Sequence, residues 1–136
     1  MKLFEIQDIV NKLKIPNFRG IFLRNQLPNV PNEIECGIIH SHTIDENIES
    51  IGHWSAYYKN NDNGQSPNEV KRYWFCSYGG DVYDEVKKYL GLPIMSHTFS
   101  IQQFSETCCA EYCIIFLALM SKGLKYEDVV LLLVKD

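Results

Sequence analysis

The residues able to do nucleophilic chemistry crowd into one stretch, Gln102-Gln103-Phe104-Ser105-Glu106-Thr107-Cys108-Cys109-Ala110-Glu111-Tyr112-Cys113. A polar segment runs into paired cysteines, and an apolar run with helical spacing follows through Phe116-Leu117. A helix starting near Cys109 would hold that thiol in its first turn, where unpaired backbone N–H groups and the positive dipole end favour a thiolate. The thiolate is the nucleophilic form of cysteine. The same pattern also suits cysteines buried at the head of a core helix, since free Cys is among the most buried residue types. Upstream, Gly52-His53-Trp54 sets a histidine at the start of an aromatic segment. Histidine is the natural base for a cysteine, because an imidazolium can stand beside a thiolate near neutral pH; taken alone, the position more often holds a partly buried structural histidine. Gln102, ahead of Cys109, carries an amide able to donate to an oxyanion together with a backbone N–H, although a loop glutamine is the plainer reading. Cys36, His40, His42 and the Cys108, Cys109, Cys113 group are zinc-ligand types. They lack a CxxC pair or a finger spacing, so no metal and no cofactor is expected.

Positioning these side chains takes a mixed set of elements. Ile6, Ile9, Val10 and Leu13 recur at helical spacing and predict a helix over 3–14, stopped at Pro16. Arg19–Arg24 reads as a short strand or turn, 34–39 as a buried strand, and 41–52 as a surface loop. His53–Tyr58 and Val70–Ser77 read as strands by aromatic content, joined as a hairpin across the turn signal Asn61-Asp62-Asn63-Gly64. Asp81 is placed to cap a helix ending at Leu90. Ile94–Ile101 is expected to be a last strand, 108–121 an apolar helix stopped by Gly123, and Tyr126–Val134 a final helix. This order predicts an α+β domain: a mixed, mainly antiparallel sheet packed against a central helix that carries the nucleophile.

The 136 residues suit a single domain, 1–136. A hydrophobic fraction of 46% and a charged fraction of 22% are ordinary for a globular protein. The net charge of -4, with scattered Lys and Arg, argues against nucleic acid as the main partner. No apolar run is long enough to span a bilayer, so no membrane partner is expected. Five cysteines, an odd count with three crowded together, do not form a disulfide framework. The first residues lack the apolar core of a signal peptide, so an intracellular, reducing setting is expected.

Taken jointly, Gly52-His53-Trp54, the segment Trp74-Phe75-Cys76-Ser77-Tyr78-Gly79, Gln102 and Cys109-Ala110-Glu111-Tyr112-Cys113 with Phe116-Leu117 resemble the adenovirus endopeptidase (adenain) family, of the same clan as the SUMO proteases. Asn17-Phe18-Arg19-Gly20-Ile21-Phe22 and Glu35-Cys36-Gly37-Ile38-Ile39 look like the first segments of shorter members encoded by viruses, virophages and large DNA transposons. The resemblance covers roughly residues 15–120, and its His-then-Cys order is opposite to that of papain-like enzymes. It implies Cys109 as nucleophile, His53 as general base, Gln102 as oxyanion donor and Trp54 as the aromatic beside the histidine. Cys109 is preferred to Cys108 because Cys113 and Phe116-Leu117 keep the family's spacing only from Cys109.

Two positions depart from the family pattern. Cys76 stands where the family has the catalytic Asp or Glu, and Ala110 where it has Gly. A thiol cannot stabilise an imidazolium as a carboxylate does, so reduced activity is expected. The implied function is a cysteine endopeptidase that cleaves capsid or other virion precursors during maturation, in the virion and the host cell interior, cytoplasm or nucleus. Its partner is a polypeptide substrate, and some relatives also take an activating peptide. The alternatives are a degenerate, non-catalytic homologue serving as a virion or interaction component, and a deubiquitinase-like or SUMO-protease-like enzyme acting on host conjugates.

Overall fold

The computed structural model describes residues 2–42, 52–60, 71–98, 100 and 109–134. Helix α1 (Leu3–Leu13) leads into four strands, β1 (Phe18–Leu23), β2 (Glu35–His40), β3 (Trp54–Lys59) and β4 (Arg72–Phe75). Helices α2 (Asp84–Leu90), α3 (Cys109–Ser121) and α4 (Tyr126–Val134) follow. The fold is α+β, with a mixed four-stranded sheet in the order β1-β2-β3-β4. β1 pairs parallel with β2, Ile21 opposite Ile38, and the other two pairings are antiparallel. Parallel neighbours need a crossover, which residues 24–34 supply without a helix of their own.

Strand alternation divides the core in two. Cys36, Ile38, Ala56 and Phe75 join Ile6 and Val10 of α1, Cys113, Phe116 and Leu117 of α3, and Val129, Val130 and Leu133 of α4 in one cluster. Ile39, Tyr57, Trp74 and Cys76 join Val86 and Leu90 of α2 in a second. Helix α3 packs mainly on β3. Its apolar residues run round the helix, as suits an element with neighbours on several sides. Ile115, at 46% exposed, is its open position.

Two expected elements differ. Ile94–Ile101 is not a strand among its described residues: Met95 alone bridges Tyr73, and the chain then leaves the sheet. Helix α2 begins at Asp84 with Tyr83 as its N-cap residue, and the Asp81 carboxylate instead accepts the backbone N–H of Val82 at 2.9 Å. The expected turn at 61–64 lies outside the described residues.

Candidate functional site

The end of β2 holds His53 through its backbone. Ser41 N–H donates to the His53 carbonyl at 2.9 Å, and His53 N–H donates to Ser41 Oγ at 2.9 Å. This reciprocal pair extends the β2–β3 ladder one step past its last register pair, His40 opposite Trp54. The His40 ring lies edge-on to Trp54, with centroids 4.5 Å apart, and presses on Gly52, where any Cβ would collide with it. Glycine at 52 thus lets the chain pass beneath the His40 ring on its way into His53.

The His53 side chain meets Cys76. Its Nε2 lies 3.0 Å from Cys76 Sγ, just past the end of β4. Its Nδ1 is buried, with no hydrogen-bond partner among the described residues. Cys109, the first residue of α3, approaches the neighbouring residue: its Sγ accepts the Trp54 N–H at 3.5 Å. Folding therefore brings His53, Cys76 and Cys109 to one end of the sheet. Cys109 and His53 make no direct hydrogen bond in this arrangement. Gln102 and Cys108 lie outside the described residues. The four described cysteines are free thiols.

Burial sets the charge states here. Burial first, and then the nearby His40, push the His53 imidazolium down to about 4. Burial also raises the Cys109 thiol above its ordinary range, outweighing the N–H groups of Trp54 and Ala110 that favour its thiolate. The helix N-terminus was expected to supply a thiolate at Cys109; desolvation reverses that balance. At neutral pH the resting site therefore holds a neutral imidazole and a neutral thiol. Cys113, one turn along α3, is fully buried and its thiol is raised further, chiefly by burial. Cys36 is buried beneath the sheet, its thiol pushed up to about 12 by burial and by Glu35.

No family model matches the chain, and no curated protein matches it in sequence. The site therefore stands on its geometry. Among the described residues no group of three His, Cys, Asp or Glu side chains is arranged to hold a metal ion, and no helix is long and apolar enough to cross a membrane. A cavity of about 440 Å³ between residues 95–98 and α4 is lined by His97, Glu127 and Val130, and none of His53, Cys76 or Cys109 borders it. The sequence gives no local sign that Ser41, His40 and Tyr78 meet His53. His40 ends the buried strand β2 and Ser41 follows it, and the pairing of β2 with β3 carries them to His53.

Proposed function

We propose that the chain is a cysteine endopeptidase of the adenain type, acting on virion protein precursors, with Cys109 as nucleophile and His53 as base. The observation that carries this reading is the placement of His53. One ring nitrogen rests on Cys76, the other is buried without a described partner, and the Cys109 thiol sits on the N–H of the very next residue. The reading requires the Cys109 thiol to meet Nδ1 once substrate is bound. His53 then removes the thiol proton as sulfur attacks the scissile carbonyl, so proton transfer accompanies attack and no ion pair is stored beforehand. The tetrahedral oxyanion rests on backbone N–H groups and, by the resemblance, on Gln102. His53 passes its proton to the leaving amine, and water, deprotonated by the same ring, hydrolyses the thioester.

The neutral resting pair favours one competing reading, a homologue that has lost catalysis and serves as a virion or interaction component. A peptide library scored by mass spectrometry separates the two. The expected outcome is defined cleavage by the wild type, none by Cys109→Ala, and most of it kept by Cys108→Ala. Cleavage that survives Cys109→Ala overturns the assignment, and a wild type that cuts nothing favours the non-catalytic reading. Ubiquitin and SUMO reporters in the same assay reveal any action on host conjugates.

A further inference from the structure

A hydrogen bond at one ring nitrogen leaves an imidazole free to swing about its χ2 torsion, which is broad for histidine. Something must hold the plane of the ring if Nδ1 is to meet a thiol. In His53 a ring contact is placed to do so. The turn after β4 is closed by Gly79 N–H donating to the Cys76 carbonyl at 2.8 Å, with Gly79 at φ 74°. This turn carries two groups onto the same histidine: Cys76 Sγ reaches Nε2, and two residues later the Tyr78 ring lies over the imidazole, centroids 4.5 Å apart and planes tilted by 31°. Trp74 Nε1–H donates to the Gly80 carbonyl at 3.2 Å and ties down the far side of the turn. Tyr78 is partly exposed while Cys76 is buried.

We propose that Tyr78 is a positioning residue: its ring fixes the plane of the His53 imidazole while Nε2 rests on Cys76, and keeps water off the face it covers. This deepens the reading of His53 as base and rests on it. A carboxylate partner would orient the ring by charge and by two acceptor oxygens. Cys76 offers one soft sulfur that can donate or accept, so orientation passes to the aromatic contact.

The test is the titration of the His53 ring by long-range proton–nitrogen NMR, run beside kcat and KM, for the wild type, Tyr78→Phe and Tyr78→Ala. The titratable groups around the ring among the described residues are Cys76 and Tyr78 after β4, His40 at the end of β2 and Cys109 at the head of α3. All but Tyr78 are kept in every variant. In Tyr78→Ala the midpoint should rise from about 4 towards the ordinary 6.5 as water reaches the ring. There kcat should fall about two- to tenfold, the range of an aromatic contact, with KM little changed. Tyr78→Phe keeps the stack and should match the wild type in both readouts. Tyr78→Leu, which keeps the bulk, replaces the alanine variant if that one unfolds, and must lose kcat in the same direction. An unchanged titration and rate in Tyr78→Ala overturns the proposal, and so does a Tyr78→Phe as impaired as Tyr78→Ala. If the wild type cuts no peptide the protease reading falls, and the titration alone still decides for or against Tyr78.

Discussion

Cys76 decides which tautomer His53 adopts. A carboxylate only accepts, so it holds the proton on Nε2 and leaves Nδ1 as the base; a thiol both donates and accepts. When Cys76 S–H donates to Nε2, the ring proton moves to Nδ1 and His53 cannot take a proton from Cys109. Fixing the wrong tautomer in a Ser triad costs about 10⁴ in turnover. Cys76→Asp should therefore raise turnover by roughly tenfold or more, as part of that range. Cys76 is 4% exposed and its sulfur lies 3.2 Å from where a Cβ at Gly80 would be, so the larger, charged side chain must be accommodated in a tight space. A stability loss of about 1–3 kcal/mol is the expected cost. Turnover and melting temperature measured together check this, and a lower melting temperature with no gain in rate removes Cys76 from the site. His53 makes a second prediction. Its folded pKa, about 4, lies below its ordinary 6.5. Between those values the unfolded chain binds a proton that the native chain does not, so stability falls as pH drops from 6.5 to 4 and is fully present above 6.5. Compared with His53→Gln, the wild type should lose melting temperature over that window, and parallel curves would show that His53 is not buried as described.

At the scale of elements, the β2–β3 ladder carries the site. Ser41 grips the His53 backbone, and the His40 ring bridges Gly52 and Trp54. A methyl group at 52 cannot enter without moving His40 or the segment into His53. Gly52→Ala should cost about 1–3 kcal/mol, the usual range for overpacking, and lower kcat because His53 moves with the chain. His40→Ala made in the Gly52→Ala background should restore part of both. A denaturation cycle over the four proteins reads the coupling, which should exceed about 0.5 kcal/mol for residues in contact; simple additivity would mean that His40 does not press on Gly52. Helix α3 enters the site differently. It sets Cys109 at its first residue because the following turns are buried against β3 and the other helices, so the thiol is fixed by packing behind it.

Across the whole molecule, Glu35 joins the crossover to both the sheet and α2. This carboxylate is fully buried, and it accepts Tyr57 Oη–H at 2.5 Å, Tyr89 Oη–H at 2.7 Å, Arg19 Nη1–H at 3.1 Å and the Asn32 N–H at 2.6 Å. Lys59 Nζ donates to the carbonyls of Asn32 and Glu33. Arg24 pairs with Glu85 at 3.0 Å and lies over the Tyr83 ring, 4.4 Å from its centroid. These contacts let residues 24–34 return β2 parallel to β1 without a crossover helix. Glu35→Ala should destabilise by about 2–4 kcal/mol, because it takes the acceptor from the buried Tyr57 hydroxyl, the Tyr89 hydroxyl and the Asn32 N–H at once. Tyr57→Phe should cost about 1 kcal/mol, the worth of one hydrogen bond. Urea denaturation of the two variants checks the order, and equal losses would mean that Glu35 works through Tyr57 alone.

The amino-acid sequence by itself determined the local elements. Spacing marked α1, aromatic runs marked β3 and β4, and the polar-to-apolar step at Cys109 marked the head of α3, because periodicity and helix-end chemistry act over a few residues. Tertiary structure decided everything that depends on segments far apart in the chain. Nothing local to Phe18–Leu23 says that it runs parallel to β2, since Glu35 and its partners from β1, β3 and α2 hold that crossover in place. Ile94–Ile101 has the composition of a strand, but among its described residues only Met95 meets an edge. The resemblance led to the expectation that Cys76 would face His53, and the fold places it at 3.0 Å; Tyr78 on the same ring came only with the turn that brings both. The charge states were the least legible. A helix N-terminus favours a thiolate, and whether that preference survives depends on how much of the chain folds over the sulfur and the imidazole. Here burial outweighs the dipole and leaves both neutral.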